Sequence, residues 1–381
     1  MNRAGGARRV YLDWNATTPP LPAVIDAMAA AAREAWGNPS STHGVGRAAR
    51  HRLETAREAV AALAGCDPRD VVFTSGGTEA NNLALRSAFD SAPGTLVTSR
   101  LEHPSVTRVA EALEREGRAR VRWLRVLSDG TVDVEDVERA LGEGGVRLVA
   151  LQAVSSETGV VQPVDAVREL AARSEARLHV DAVQAFGRLE ATGQGADTRS
   201  VAAHKMRGPK AIGALVLRPG VALAPVLRGG SQERGVRPGT LDAVGAAGFG
   251  VAARHAQTGP ERWAAVAPLR DALEQGLARL LPGARIHGAA ATRAPHVMNA
   301  AFPGWGGPEL VAALDLEGVA VSSGTACSAG TAEPSPAVAA MSDAATAASS
   351  VRFSLGEDTT RDDVDYALAA LGRVLGRVPG Q

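Results

Sequence analysis

The pair His204-Lys205 has residue types and surroundings that favour covalent chemistry. A lysine amine attacks a carbonyl only after losing its proton, which requires partial burial or a neighbouring cation. The preceding run Ser200-Val201-Ala202-Ala203 is small and apolar, and Gly208-Pro209 forces a turn just beyond the lysine. We therefore interpret Lys205 as a trap for an aldehyde. The alternative is that Lys205 and Lys210 are solvated lysines of an ordinary loop.

A second feature is a pair of glycines where a predicted strand turns into a predicted helix. Gly76 and Gly77 follow the apolar run Val71-Val72-Phe73 and precede Thr78. Free N–H groups at a helix start, with the helix dipole behind them, bind phosphate. Gly77 and Thr78 are therefore candidate phosphate ligands, although two glycines also occur here as plain turn chemistry.

Two further predicted strands are followed by residues that suit a planar, electron-withdrawing ring. The imidazole of His103 could stack on such a ring and move a proton near neutral pH. Asp181 could hold a pyridinium nitrogen in its protonated form, and Gln184 follows three residues later. Taken singly, His103 could be a surface histidine and Asp181 a helix cap. With the glycine loop and His204-Lys205, in this order, they describe a pyridoxal phosphate site.

The elements around these residues predict a layered α/β fold. Apolar runs between residues 71 and 180 alternate with amphipathic segments in steps of about 25 residues, which favours a mostly parallel sheet covered on both faces. Ligands of such sheets collect at the carboxyl ends of the strands. A predicted helix over 261–281 leads into a second, smaller lobe, and the alanine-rich stretch 337–350 is predicted helical. Thr360 and Asp363 have the spacing of a capping box that opens the last helix.

Length and composition exclude several classes of protein. A chain of 381 residues predicts two lobes, or one large α/β domain with an appendage. The 41 basic and 41 acidic residues balance, so no global attraction to nucleic acid or anionic membrane is expected. Cys66 and Cys327 share no sequence context, which argues against a disulfide framework or a metal site. Without a signal peptide or a long apolar run, the predicted location is the cytoplasm.

The motifs, in this order and over nearly the whole chain, resemble the cysteine desulfurases of the class V aminotransferase family. The matching stretches are Tyr11-Leu12-Asp13, Asn15-Ala16-Thr17-Thr18-Pro19, Gly37-Asn38-Pro39-Ser40-Ser41, Phe73-Thr74-Ser75-Gly76-Gly77-Thr78-Glu79, Glu102-His103, Glu157-Thr158-Gly159-Val160-Val161-Gln162-Pro163, His179-Val180-Asp181-Ala182, His204-Lys205, Gly208-Pro209-Lys210, Glu233-Arg234-Gly235, Gly239-Thr240, Ser322-Ser323-Gly324-Thr325-Ala326-Cys327 and Arg352-Phe353-Ser354-Leu355.

This resemblance implies a fold and a domain division. The fold would be the type I fold of pyridoxal phosphate transferases, with a mostly parallel seven-stranded sheet and helices on both faces. A large cofactor-binding domain would span 16–257. A smaller α+β C-terminal domain, formed by 1–15 and 258–381, would carry Cys327.

The resemblance also implies a role for each site residue. The cofactor would be held covalently by Lys205, with Asp181 on its ring nitrogen, Gln184 on its ring hydroxyl and His103 on its ring face. The phosphate would be bound by Gly77, Thr78 and His204, and by Thr240 from the other subunit of a homodimer. The carboxylate of the substrate would be bound by Asn38 and Arg352, the latter bidentately.

Cys327 separates the desulfurases from other members of that family. In the implied reaction, Lys205 removes the α-proton of L-cysteine and the Cys327 thiolate attacks the substrate sulfur. Alanine leaves, and a persulfide stays on the enzyme. The thiolate is required because a neutral thiol is a poor nucleophile. The spacing around Cys327 resembles the group with the longer catalytic segment, which passes its persulfide to acceptor proteins.

Two stretches depart from the family's pattern. Ser155-Ser156 stands where two asparagines are usual, and Ala202-Ala203 stands where Ser-Gly is usual. One hydroxyl donor to the phosphate is therefore missing, at roughly 1.5 to 3 kcal/mol for such a bond. We expect retuned cofactor binding, with Ser156 as a candidate replacement. The departures favour a specialised enzyme. The overall similarity of the sequence favours one that supplies sulfur for DNA phosphorothioation, over iron–sulfur assembly or tRNA thiolation.

Two alternatives remain open at this stage. The chain could be another pyridoxal phosphate lyase or aminotransferase, such as a selenocysteine lyase, in which Cys327 is idle. It could also be a scaffold that has kept the fold and the dimer but lost turnover.

Overall fold

The computed structural model describes residues 8–190, 193–324 and 335–376, so Cys327 lies outside the described residues. The strands are β1 (Val10–Tyr11), β2 (Val71–Thr74), β3 (Gly94–Thr98), β4 (Ala119–Trp123), β5 (Val146–Gln152), β6 (Arg177–Asp181), β7 (Thr198–Ala202), β8 (Gly213–Leu217), β9 (Arg285–Ile286), β10 (Val297–Ala301), β11 (Val319–Ala320) and β12 (Ser350–Ser354). The α-helices are α1 (Pro22–Glu34), α2 (Gly44–Ala64), α3 (Gly77–Ala88), α4 (Pro104–Arg115), α5 (Val134–Gly142), α6 (Val164–Arg173), α7 (Ala243–His255), α8 (Gly259–Ala264), α9 (Ala267–Leu280), α10 (Gly307–Leu316), α11 (Pro336–Ala339), α12 (Ala344–Ala348) and α13 (Arg361–Leu375).

The central sheet contains seven strands in the order β2-β8-β7-β6-β5-β3-β4. Strands β7, β6, β5, β3 and β4 pair in parallel, whereas β8 runs antiparallel to both of its neighbours. Both faces of the sheet are covered, because alternate residues of its strands belong to different apolar clusters. One cluster includes α3 and α4, and the other includes α1, α2, α5, α6 and α7. The predicted fold class is confirmed.

A second core lies around a three-stranded antiparallel sheet, β12-β10-β9, next to the parallel pair of β1 and β11. Its buried residues come from 10–12 and from 266–374, which are the two ends of the chain. The phenyl rings of Phe302 and Phe353 meet in this core with centroids 6.2 Å apart. The domain boundaries expected from the sequence stay a prediction; the residues of this core all lie within 1–15 and 258–381.

Three helix predictions can be compared with the structure. The prediction of a single helix over 261–281 is wrong, because α8 ends at Ala264 and α9 begins at Ala267. Pro268 lies in the first turn of α9, where a missing N–H is tolerated but a continuous helix is not. The stretch 337–350 forms two short helices, since Asp343 caps a new one. The capping box of Thr360 is confirmed.

No helix in residues 8–190, 193–324 and 335–376 combines the length and the apolar character needed to cross a bilayer.

A buried ion pair fixes the loop that carries Thr240. The guanidinium of Arg57 donates to both carboxylate oxygens of Glu233, at 2.9 and 2.6 Å, and the N–H of Phe73 donates to the same carboxylate at 2.9 Å. Glu233 and Arg234 both adopt left-handed φ angles, 46° and 58°. Such backbone costs free energy for residues other than glycine and persists only where the surroundings enforce it. The Arg57 pair therefore holds this loop in its conformation.

We expect Glu233→Gln to lower the free energy of unfolding by up to about 3 to 5 kcal/mol, because it removes the buried carboxylate of the pair and leaves Arg57 only the half-exposed carboxylate of Glu54, at 3.0 Å. Urea unfolding followed by circular dichroism measures this loss. The control is Asp67→Asn, which breaks the exposed pair of Asp67 and Arg69 and should leave the unfolding midpoint unchanged. Equal effects from both substitutions would contradict the assignment.

Candidate active site

A cavity of about 200 Å³ collects most of the predicted site residues. It is lined by Asn15, Ala16, Gly77, Thr78, Asn81, His103, Ser105, Gln152, Val154, Ser156, Asp181, Val183, Gln184, Ala202, His204, Lys205 and Arg352. Nine predicted residues lie in this lining. Asn38 and Thr240 do not; both are exposed on the surface of the chain. Cys327 lies outside the described residues.

Lys205 reaches the cavity at the end of a short 3₁₀ turn that follows β7. Its ammonium nitrogen donates to the carbonyl oxygens of Asn15 and Ala16, the latter at 2.9 Å. Burial, together with the positive charges of Arg188 and Arg352, lowers the pKa of Lys205 to about 7. A large fraction of the amine is therefore uncharged near neutral pH, as a nucleophile or base requires.

The start of α3 presents backbone N–H groups to the cavity. Gly76 precedes the helix with φ 145°, and among the described residues no side chain caps the first turn. A Cβ on Gly77 would lie 2.6 Å from a methyl group of Val183, so only glycine fits at this approach. An uncapped helix start with Thr78 beside it can bind an anion.

His204 stands at the same cavity as a neutral ring. Burial and the charge of Lys205 lower the pKa of His204 to about 3. Its Nδ1 lies 3.2 Å from the hydroxyl of Thr17. A neutral imidazole can contribute a hydrogen bond to an anion but not a charge. The electrostatic attraction of an anion would therefore come from the start of α3.

Asp181 is held at the end of β6 by a buried polar network. One carboxylate oxygen accepts from the amide of Asn81 at 2.7 Å, and the other accepts from the N–H of Val183 at 3.0 Å. Asn81 also contacts His179 at 2.9 Å, whose pKa burial lowers to about 4. The carboxylate thus has neutral hydrogen-bond partners in this network and lies at the cavity wall, where it can receive a cation.

His103 caps α4 through its ring. The backbone N–H of Ser105 donates to Nδ1 of His103 at 3.1 Å, and the Ser105 hydroxyl lies 2.8 Å from the same atom. Burial lowers the pKa of His103. A neutral ring whose Nδ1 accepts carries its proton on Nε2.

Arg352 is a buried residue of β12 whose guanidinium N–H groups are not all hydrogen-bonded within the described residues. Its Nη atoms donate to the carbonyl of Ser156 at 3.1 Å and to the carboxylate of Asp13 at 2.5 Å. Its Nε finds no partner among the described residues. The side chain is 2 % exposed. A guanidinium with free N–H groups at a cavity wall suits a carboxylate ligand.

The two unusual serines have different surroundings. Ser155 is buried, and its hydroxyl accepts the N–H groups of Glu157 and Thr158 at 3.4 and 3.2 Å. This side chain therefore stabilises a turn. Ser156 lines the cavity, and its carbonyl accepts from Asn15 and Arg352.

Sequence reasoning missed several residues of the site. Asn81 lies one helical turn after Thr78 on α3, and that spacing could have placed it on the same face. Asn15 lies in one of the stretches that carry the family resemblance, and Gln152 follows an apolar strand-like run, but neither is a predicted site residue.

The donor set fits pyridoxal phosphate. An uncapped helix start suits the phosphate, Asp181 suits a protonated ring nitrogen, and Lys205 is a buried amine of lowered pKa. These three groups line one cavity. By contrast, nowhere in the described ranges do three or more histidine, cysteine or acidic residues come close enough to bind a metal ion.

Comparison with known proteins gives the same family as the motifs. The model of the aminotransferase class-V family matches residues 10–367. The chain belongs to this family. A cysteine desulfurase of Cereibacter sphaeroides is 43 % identical over 376 residues, which cover 97 % of this chain and 96 % of that relative.

Solved structures of related proteins share the fold of this chain. A NifS-like protein superimposes with a TM-score of 0.89 at 33 % identity, covering 97 % of this chain and 99 % of that structure. The structure of SspA in complex with cysteine gives a TM-score of 0.81 at 28 % identity, covering 92 % and 100 %.

Glu102, next to His103, is a buried carboxyl group. Its Oε2 has no hydrogen-bond partner among the described residues, and its Oε1 accepts from the hydroxyl of Ser99 at 3.3 Å. Burial, with a smaller contribution from the charge of Asp181, raises the pKa of Glu102 to about 8. Glu102 is therefore protonated at neutral pH.

The pKa of Glu102 makes stability depend on pH. The folded chain holds a proton that the unfolded chain releases between about pH 4.5 and pH 8, so stability falls as the pH rises through this window. We expect Glu102→Gln, which cannot ionise, to gain stability relative to wild type by at most roughly 1.4 kcal/mol per pH unit in this window. Urea unfolding at several pH values measures the difference.

The control for this measurement is Glu111→Gln, which removes a surface carboxylate of the neighbouring helix. Its stability difference from wild type should stay flat across the same window. If the stability difference between Glu102→Gln and wild type also stayed constant with pH, Glu102 would be ionised in the folded protein.

Proposed function

We propose that this protein is a pyridoxal phosphate-dependent cysteine desulfurase that converts L-cysteine to L-alanine and receives the sulfur on Cys327. The observation that carries the proposal is the cavity that places Lys205, with its pKa lowered to about 7, beside Asp181 and Arg352. The names of the relatives support the reaction, and the SspA structure in complex with cysteine supports the substrate.

Each residue would act through the contacts described above. Arg352 would bind the carboxylate of the substrate with its free donors, and Asp181 would hold the protonated ring nitrogen. Lys205 would hold the cofactor and remove the α-proton, because its buried amine is uncharged near neutral pH. His103 would stack on the face of the cofactor ring. Bound pyridoxal phosphate supplies an electron sink for the carbon that loses the proton.

The phosphate would be bound at the start of α3, by Gly77 and Thr78, with His204 as a neutral donor. Gln184 would face the ring hydroxyl. Ser156 would take part in cofactor binding, in place of the hydroxyl that is missing from Ala202-Ala203.

The sulfur transfer balances without an external oxidant. The bond between the β-carbon and sulfur of the substrate breaks, and a sulfur–sulfur bond forms to the thiolate of Cys327. The electron pair of the broken bond stays on the β-carbon. This carbon also takes up one proton, which replaces the hydrogen lost from the substrate thiol, and becomes the methyl group of alanine. The persulfide is then the product that a sulfur acceptor consumes.

For the destination of the sulfur, we propose an acceptor protein in DNA phosphorothioation, with iron–sulfur assembly or tRNA thiolation as the other destinations. The resemblance of the whole sequence to specialised desulfurases supports this proposal. The balance of 41 basic and 41 acidic residues supports delivery through a protein partner without direct contact with nucleic acid. The two dissimilar cysteines support a reducing, cytoplasmic location.

We expect Cys327→Ser to abolish the formation of alanine and sulfide from L-cysteine in the presence of dithiothreitol, because no thiolate is left to accept the sulfur. Amino-acid analysis and a sulfide assay measure both products. The matched control is Cys66→Ser, since Cys66 is half-buried in the turn after α2 and away from the cavity. A Cys327→Ser protein of full rate would favour a lyase or aminotransferase with an idle cysteine.

We also propose a homodimer in which Thr240 of one subunit completes the site of the other. Thr240 is exposed and does not line the cavity of its own chain, while the loop before it is held rigidly by Glu233. An exposed loop in an enforced conformation suits a contact with a second copy.

Mixing two variants of low activity tests whether Thr240 completes the site of the other subunit. We expect Lys205→Ala and Thr240→Val to be weak alone, and their mixture after joint refolding to recover about a quarter of wild-type activity. The reason is that half of the dimers would then contain one intact site. Light scattering measures the dimer in parallel. A mixture no more active than its components, in dimers that exchange subunits, would contradict the proposal.

A further inference from the structure

Arg188 is a cation buried entirely among neutral partners. Its side chain has no exposed surface, and its described hydrogen-bond partners include no carboxylate. Burial lowers the pKa of Arg188 to about 9, so the group still carries its charge at neutral pH. A buried charge without an ionic partner is costly and persists where the surroundings compensate for it. The partners that compensate for this charge therefore indicate what Arg188 does in the fold.

The guanidinium holds the reactive lysine by its backbone. Nε of Arg188 donates to the carbonyl of Lys205 at 2.8 Å, and Nη2 donates to the same oxygen at 2.5 Å. This fork fixes the peptide that carries the lysine side chain. A planar, preorganised donor pair of this kind loses little freedom when it binds.

The same guanidinium holds the residue that receives the lysine amine. Its Nη1 donates to the side-chain oxygens of Asn15 and Gln184, both at 2.9 Å. The backbone carbonyl of Asn15 in turn accepts from the Lys205 amine and from the amide of Gln184. Arg188 thus fixes both ends of the hydrogen bond that places the lysine amine in the cavity.

Two aromatic rings complete the surroundings of Arg188. Nη1 of Arg188 lies 3.1 Å from Nε2 of His296, and the guanidinium stacks over the ring of Trp263 at 4.6 Å. The charged groups that act on Lys205 are Arg188 and Arg352, which oppose its positive charge, and Asp13 and Asp181, which favour it. Those that act on Arg188 are Glu357 and Arg352, and the neighbouring His296 is held neutral by burial.

We propose that Arg188 is a positioning residue for Lys205, which clamps the lysine backbone and keeps a second positive charge beside the lysine amine. Its part in catalysis rests on the proposed function, since it would keep the amine of that reaction uncharged. The hydrogen bonds give the placement, and the buried charge gives the electrostatic effect.

The sequence provides an internal reference for a direct test, because Lys205 and Lys210 are the two lysines of the chain. Lys210 is exposed. Trace acetylation with acetic anhydride at a series of pH values modifies only uncharged amines. Trypsin cleavage after Arg207 separates the two lysines for mass spectrometry. The full-length chain is used after dialysis against hydroxylamine, which removes any carbonyl compound bound to lysine.

We expect the acetylation midpoint of Lys205 near pH 7 in the wild type and at least about one pH unit higher in Arg188→Met and Arg188→Gln. Labelling of Lys205 at pH 7 would fall about fivefold in these neutral variants. Arg188→Lys keeps a positive charge and should keep a low midpoint. The midpoint of Lys210 should not move.

The matched control is Arg199→Met, which removes another buried arginine, one that donates to the carbonyl of Ala64 and does not line the cavity. It should leave the Lys205 midpoint unchanged. An unchanged midpoint in Arg188→Met and Arg188→Gln would overturn the proposal. Loss of folding in both variants would also overturn it, because Arg188 would then serve the stability of the fold alone.

The labelling distinguishes this inference from the proposed function. A shifted midpoint in a protein that forms no alanine from cysteine would contradict the function alone. An unshifted midpoint in an active desulfurase would contradict the role of Arg188 alone.

Discussion

The removal of the Lys205 amine from water is the constraint on which the rest of the site depends. An exposed lysine is charged at neutral pH and cannot attack a carbonyl or accept a proton. Here burial is the main cause of the lowered pKa, and two buried arginines add to it. The amine still donates to two carbonyl oxygens, which fix its position. A nucleophile is thereby prepared by the fold itself.

The sheet explains how distant residues meet around this amine. Asp181 ends β6, and Lys205 follows the neighbouring strand β7, so parallel pairing brings both to the same edge. The helix that follows β2 starts at this edge and turns its free N–H groups toward the cavity. Arg352 comes from the sheet of the second core, so the site draws on both cores. This arrangement gives separate places for a phosphate, a ring nitrogen and a carboxylate.

Much of the site could be predicted because its residues follow apolar strands directly. Gly77, Asp181 and Lys205 each come after a run whose pattern identifies a strand, and the ends of parallel strands meet. The alternation of strands and helices also predicted the confirmed sheet. Arg188 could not be found in this way, because its role depends on contacts with residues far away in the sequence, such as Asn15. The helix over 261–281 failed because a periodic pattern does not show where Pro268 starts a new helix.

The central claim, that Lys205 is the lysine that binds pyridoxal phosphate, is tested most directly by trapping the bond. The protein is incubated with pyridoxal phosphate, its visible absorbance is recorded, and borohydride then makes the linkage permanent before digestion with trypsin. The account predicts a visible band that changes on addition of L-cysteine, and a modified peptide that contains Lys205. Modification of Lys210 instead, or no visible band after incubation, would contradict it.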